Sequence, residues 1–150
     1  MKKISIETLR KIREETGAGV MRVKKVLEEL DGNENKALEV LKKEGFEKVA
    51  KREGRNTGEG KVFTYSHHTG KVVSVVELLC ETDFVAKNDL FEELGKNIAL
   101  QVASMGEEKI EDQEFIKDPS KKISELIKEV IAKTGENIRL GRVFRVELGK

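Results

Sequence analysis

Few residues in this chain are of a type that can do covalent chemistry, and their spacing argues against most of it. The only histidines, His67 and His68, are adjacent in the turn-like stretch His67-His68-Thr69-Gly70. Neighbouring side chains on a hairpin are expected to diverge, and no cysteine or third histidine stands at zinc-ligand spacing. They are assigned as turn residues. Cys80, the single cysteine, ends an apolar run and is expected to be a small buried hydrophobe. Gly17-Ala18-Gly19 could begin a dinucleotide fingerprint, but no strand precedes it and Arg22 occupies the third glycine position, which leaves a helix–helix turn. No Gly-x-x-x-x-Gly-Lys-Ser/Thr loop occurs and no nucleophile–base pair stands out. The expectation is a protein that is not an enzyme and carries neither metal nor cofactor.

One motif remains. Thr82-Asp83-Phe84-Val85 places two apolar side chains after a polar pair, between a β-rich run and the charged stretch Ala86-Lys87-Asn88-Asp89. Two placements fit. Phe84 either packs into the local core where a helix begins, or projects as an apolar knob from a short rigid connection into a partner's groove. In the second case its burial is worth about 1.5–3 kcal/mol, enough to shift a competition between ligands.

Elements that could position this motif follow from periodicity. In residues 5–50, Ser5 can cap a first helix with Ile6, Leu9 and Ile12 on one face, ended by Gly17. Val20, Val23, Val26, Leu27 and Leu30 stripe a second helix, which stops at Asp31-Gly32. Asn33 can cap a third, with Ala37, Leu38 and Leu41 inward and Gly45 as its stop. Residues 51–60 hold no apolar residue and three glycines, the composition of a linker. The expected division is a three-helix domain over 1–54, a linker over 55–60 and a core domain over 61–150.

In that core, Lys61 to Ser66 and Lys71 to Cys80 read as a hairpin. Leu90, Phe91, Leu94, Ile98, Ala99 and Val102 then fit a helix from about Asp89 to Ser104. Asp118-Pro119 is expected to start another helix, with Ile123, Leu126, Ile127, Val130 and Ile131 on one face and Gly135 as its stop. A last strand carries Ile138, Leu140, Phe144, Val146 and Leu148 on one side. The fold class is α+β: a three-helix domain, then a three-stranded antiparallel sheet with helices on one face. In the second strand Val73, Val75 and Leu79 face one way and Val72, Val76, Leu78 and Cys80 the other, so both faces are apolar while helices cover only one. The uncovered face predicts self-association, unless the helical domain folds back over it.

Composition narrows the class of partner. Lys and Arg number 29 against 28 Asp and Glu, a net charge of +1, with the signs alternating along the helices. That is a solvated surface, where a nucleic-acid binder would concentrate positive charge on one face. The N-terminus turns charged at once, without the apolar core of a signal peptide. No apolar run approaches the roughly 20 residues that span a bilayer. A lone cysteine agrees with a reducing compartment. A cytoplasmic protein is expected, bound neither to membrane nor to nucleic acid.

With its flanks, the Thr82–Val85 motif reads Glu77-Leu78-Leu79-Cys80-Glu81-Thr82-Asp83-Phe84-Val85-Ala86-Lys87-Asn88, which resembles the signature of the bacterial elongation factor Ts family. Two more stretches are similar to that family in the same order. One is Ile12-Arg13-Glu14-Glu15-Thr16-Gly17-Ala18-Gly19-Val20-Met21 with Lys24-Lys25-Val26-Leu27, and the other is Ala132-Lys133-Thr134-Gly135-Glu136-Asn137-Ile138. The resemblance implies a ubiquitin-associated-like helical domain ahead of the core, and release of GDP from elongation factor Tu during protein biosynthesis. By the same resemblance Thr82, Asp83, Phe84 and Val85 would form a wedge, with Phe84 inserted between helices of the GTPase and its Mg²⁺ site disturbed. Thr134 and Gly135 would make a secondary contact. Arg13, Val20, Met21 and Lys24 would touch the GTPase near its phosphate loop.

This chain departs from the family pattern in four places. Arg22-Val23 stands for the usual Asp-Cys, and Thr134 for the usual Ile or Leu. A long helical stretch before Gln113-Glu114-Phe115-Ile116-Lys117 is missing, and only one core module is present. A homodimer through the sheet would supply the second. The competing functions are a ubiquitin-type adaptor, which leaves Thr82–Val85 without a purpose, and a nucleotide-binding enzyme, against which the missing phosphate loop speaks.

Overall fold

A computed structural model of the chain describes residues 3–150. The first two residues of the charged N-terminal segment, where the expected 1–54 domain begins, lie outside the described residues. Three helices come first: α1 (Ile6–Thr16), α2 (Val20–Glu29) and α3 (Glu34–Ala50). Ser5 caps α1 by accepting from Thr8 N (3.1 Å), and Asn33 caps α3 by accepting from Lys36 N (3.1 Å). Ile12, Val23, Val26, Leu27, Ala37 and Leu41 make their common core. Ile6, expected inward, is 76% exposed. Ile4, one residue before the cap, packs on the core with Leu9 instead, the spacing of a hydrophobic staple.

The remainder is an antiparallel sheet in the order β1 (Glu59–Ser66), β2 (Val72–Cys80), β5 (Ile138–Glu147). Between β2 and β5 lie α4 (Asp83–Ala86), α5 (Asp89–Met105), a small hairpin of β3 (Glu114–Phe115) and β4 (Asp118–Lys122), and α6 (Ile123–Thr134). One face of the sheet, with Phe63, Val76, Leu78, Cys80 and Ile138, is sealed by Phe91, Leu94, Ile98, Ala99 and Val102 of α5 and by Ile123, Ile127, Val130 and Ile131 of α6. The α+β class and the helices-first order are as the sequence predicts. No helix among the described residues is long and apolar enough to cross a membrane.

Three further expectations need correction. Asp118-Pro119 does not start a helix. The Asp118 carboxylate accepts from Ser120 N (3.2 Å) and Oγ (2.6 Å), a local turn that competes with helix. Pro119 therefore lies in the edge hairpin, and α6 begins at Ile123. Gly45 does not stop α3, which runs on to Ala50. It marks a close approach: a Cβ there would lie 3.3 Å from the Ala132 Cβ of α6. Lastly, Ile138, Leu140, Phe144, Val146 and Leu148 do not share a side. A bulge opposite Glu77 interrupts the β2–β5 register between Val76 and Leu78, pairing Leu78 with Leu140 but Val76 with Val143. Ile138, Leu140 and Val143 face the helices, and Phe144 and Val146 face solvent.

The apolar-free segment after α3 is fastened to the core. Arg52 donates to Ile131 O (3.0 Å) and Arg55 to Gly135 O (3.3 Å). Asn137 Nδ2 donates to Glu53 O (3.2 Å) and Arg55 O (3.1 Å), and Arg139 Nε to Thr57 Oγ1 (2.7 Å). At the other end of the helical module, Gly17 closes α1 with φ +73° and presses on α6, where a Cβ would stand 2.7 Å from Lys133 Cα. Both the left-handed conformation and this approach exclude larger residues.

Candidate functional site

The Thr82–Val85 motif folds as the one-turn helix α4, directly after β2. Four residues are far too few for a helix to hold itself, so its shape is imposed from outside. Val85 and Ala86 are buried and anchor it in the core. Thr82 is the N-cap, and its Oγ1 accepts from Val85 N (3.4 Å). The same residue is gripped twice by Glu136 in the turn between α6 and β5. Thr82 N donates to Glu136 Oε1 (2.9 Å) and Thr82 Oγ1 to Glu136 Oε2 (2.6 Å). Glu81, next door, accepts from Asn137 N (2.6 Å) and pairs with Arg55 (3.6 Å). Two acidic residues, one just after β2 and one just before β5, thus hold each other's neighbours.

On this braced corner Phe84 points outward and is 82% exposed. Of the two placements open to it, the structure has the projecting one. Its neighbours explain why: Val85 and Ala86 take the inward positions of a single turn, which leaves Asp83 and Phe84 on the outer side. Asp83 is exposed and pairs with Lys87 (3.6 Å). Cys80 beneath the corner is fully buried, its Sγ donating to Thr82 O (3.1 Å). Burial first, and the nearby Glu136 charge second, push its thiol up to about 11, so it is inert as a nucleophile at neutral pH.

Thr134 and Gly135 adjoin this corner through Glu136. Thr134 Oγ1 donates to Val130 O (2.8 Å), and Gly135 caps α6 in the left-handed conformation. Arg13, Val20, Met21 and Lys24 are exposed near the Gly17 loop that touches α6, Met21 at 78% and Val20 at 41%. Arg22, one of the departures from the family pattern, binds Glu44 of α3 through two hydrogen bonds, Nε to Oε2 at 3.0 Å. That pairing raises the guanidinium's pKa and holds the carboxyl below its ordinary range. It clamps α2 to α3 without using the surface beside it.

His67 and His68 do not diverge as expected. Their ring centroids are 4.2 Å apart at 34°, because Thr69 N donates to His67 Nδ1 (3.3 Å) and draws that ring back over the turn. Among the described residues no group of histidine, cysteine, aspartate and glutamate is arranged to hold a metal. Glu81, Glu136 and Asn137, which shape the corner, were not singled out by residue type. Their signal lay in the two quoted motifs that contain them.

Comparison with known proteins identifies the family. The family model described as Elongation factor TS matches residues 81–150. The chain is 42% identical to elongation factor Ts of Leptospira biflexa over 194 aligned positions, covering 97% of this chain and 98% of the relative. It is 38% identical to the protein of that name from Thermotoga neapolitana, covering 98% of each. For that of Maridesulfovibrio salexigens the identity is 36%, covering 98% of this chain and 95% of the relative. The alignments are longer than the chain's 150 residues, so these relatives carry positions that have no counterpart here. With near-complete coverage at such identities, the chain belongs to the elongation factor Ts family.

Proposed function

We propose that this translation elongation factor is the guanine-nucleotide exchange factor of elongation factor Tu. The observation that carries the reading is Phe84, a large apolar ring left in solvent on a corner that the protein braces from two sides. Thr82, Asp83, Phe84 and Val85 form the wedge. Entering the GTPase, Phe84 disturbs the Mg²⁺ site that bridges protein and β-phosphate. Arg13, Val20, Met21 and Lys24 grip near the phosphate loop, and Thr134 and Gly135 add a secondary contact beside the wedge.

The physics is linkage. Mg²⁺ and phosphate-loop contacts hold the nucleotide in GTPases of this kind. A factor that prefers the state with those contacts loosened must weaken nucleotide binding by the same ratio by which nucleotide weakens its own. The protein makes and breaks no covalent bond, needs no cofactor, and is expelled when nucleotide rebinds. Its place of work is the cytoplasm, without membrane or nucleic-acid contact of its own.

The chain acts as a homodimer, which makes up for its single core module. Val62, Val73, Phe144, Val146 and Leu148 are exposed on the outer side of the sheet. The helical module packs against α6 on the opposite side and leaves them uncovered. The working division is a ubiquitin-associated-like helical domain over 1–54, a linker over 55–60 whose last two residues, Glu59 and Gly60, enter β1, and the core over 61–150. Stopped-flow release of fluorescent GDP from elongation factor Tu tests the central reading. The chain must accelerate release, less so in excess Mg²⁺, and Phe84→Ala must lose the effect while still folded. No acceleration by the intact chain would overturn it.

A further inference from the structure

Glu136 is the residue on which the corner's geometry turns. It reaches Thr82 across 54 positions of sequence and engages both polar groups that this residue offers to the α6–β5 side. A threonine hydroxyl has one proton and two lone pairs. Because the proton goes to Glu136, a lone pair is left for Val85 N, the bond that caps α4. Glu136 therefore selects the hydroxyl orientation that closes the turn, and the turn directs Phe84 outward. On the same side, Glu81 accepts from Asn137 N, and Asn137 Nδ2 holds Glu53 O and Arg55 O of the segment leading from α3. Behind the wedge there is thus a polar node, fastened to α6, which in turn carries the docked helices at Gly17 and Gly45.

We propose that Glu136 is a positioning residue for nucleotide exchange: it holds the Phe84 wedge rigid through Thr82, without touching the GTPase itself. The proposal rests on the exchange reading. Rigidity matters because a ring that must enter a groove loses part of its binding free energy to ordering if it is mobile beforehand. Loss of the brace therefore lowers the maximal rate of GDP release more than it lowers affinity, to which the exposed helical surface contributes independently.

The experiment measures GDP release from elongation factor Tu against factor concentration, for the full chain and its variants. Glu136→Ala is expected to cut the maximal rate about tenfold, with the half-saturating concentration changed less than threefold. Glu136→Gln is expected to recover most of the rate, since its carbonyl can accept from Thr82 N while its amide donates to Thr82 Oγ1. In a Thr82→Ala background, where only the bond from the backbone N–H of position 82 remains, Glu136→Ala should cost clearly less than in the parent, as expected for coupled residues. Circular dichroism and thermal melting identify a variant that has merely unfolded; Glu136→Gln, which keeps the volume, then carries the test alone, and a rate below Thr82→Ala overturns the proposal. An unchanged maximal rate in folded Glu136→Ala overturns it, as does a full effect persisting without Thr82, which would mean direct contact with the GTPase. If the unaltered chain fails to release GDP, the exchange reading itself has failed, a distinct outcome.

Discussion

Phe84 and the outer face of the sheet both leave apolar side chains in solvent, but the structure beneath them differs. Phe84 is a single ring on a four-residue helix, fixed by a cap, two buried neighbours and a carboxylate that reaches it from another turn. The sheet face is broad, built from cross-strand pairs such as Val73 with Val146 and Val75 with Phe144, and held by ordinary ladder hydrogen bonds. A point contact delivers limited binding energy at one defined place, which suits an association that must be reversed in each cycle. An extended apolar face gains by area and suits lasting pairing. The contrast teaches that exposure alone does not assign a role; what supports the exposed group does.

The sharpest way to break this comparison is at the ring. Phe84→Ala is expected to reduce the acceleration of GDP release by roughly ten- to hundredfold, the equivalent of about 1.5–3 kcal/mol. Sedimentation and melting should be unchanged, and any shift in oligomeric state would mean that the two surfaces are not separate. Next comes Phe144→Lys, which places a charge in the middle of the outer face. It should convert dimer to monomer at micromolar concentration in sedimentation velocity, with the circular dichroism of the fold retained; a parent chain already monomeric there would remove the dimer reading. Gly17→Ala probes the docking behind the corner. Strain at positive φ and the clash with Lys133 should cost more than about 1 kcal/mol, or about 2–4 °C in melting temperature for each kcal/mol.

The smallest effect concerns acid. Glu77 lies on the outer face, where the Arg142 backbone N–H (3.1 Å) and then its guanidinium (3.2 Å) bind the carboxylate and hold it below its ordinary value of 4.5. A carboxyl depressed by folding stabilises the fold above its unfolded pKa, and that contribution is lost as pH falls through the folded value. Denaturant titrations should therefore show the parent losing stability below about pH 4.5 more steeply than Glu77→Gln.

How much of this was legible depends on whether a feature is local. The caps at Ser5 and Asn33, the stripe of α5 and the stop at Gly135 rest on neighbours in sequence, and residue type revealed them. Gly45 and Pro119 are ambiguous in the sequence because each residue type has two physical uses. Glycine ends helices but also lets two helices touch, and the partner, Ala132, is far along the chain. Proline opens helices but also suits an edge strand, and the Asp118–Ser120 turn decided between them. For the site, the motif containing Phe84 was visible while its exposure was not, since two inward neighbours settle it. Glu136 could not be paired with Thr82 by spacing at all; only the fold brings them together.

The bulge opposite Glu77, formed by Gly141 and Arg142, has a consequence for how economically this small chain is built. A pleated strand of fixed parity can devote its alternate residues to one apolar side only. By inserting an extra residue opposite Glu77, the ten-residue β5 changes parity midway. Its first half lines the interior with Ile138 and Leu140, and its second half turns Phe144 and Val146 toward solvent. The same ten residues on an unbroken ladder would turn the second half inside out, driving Phe144 in among the helices and Val143 into water. Interior packing and the apolar outer face would then be lost together, although no side chain of either had been altered.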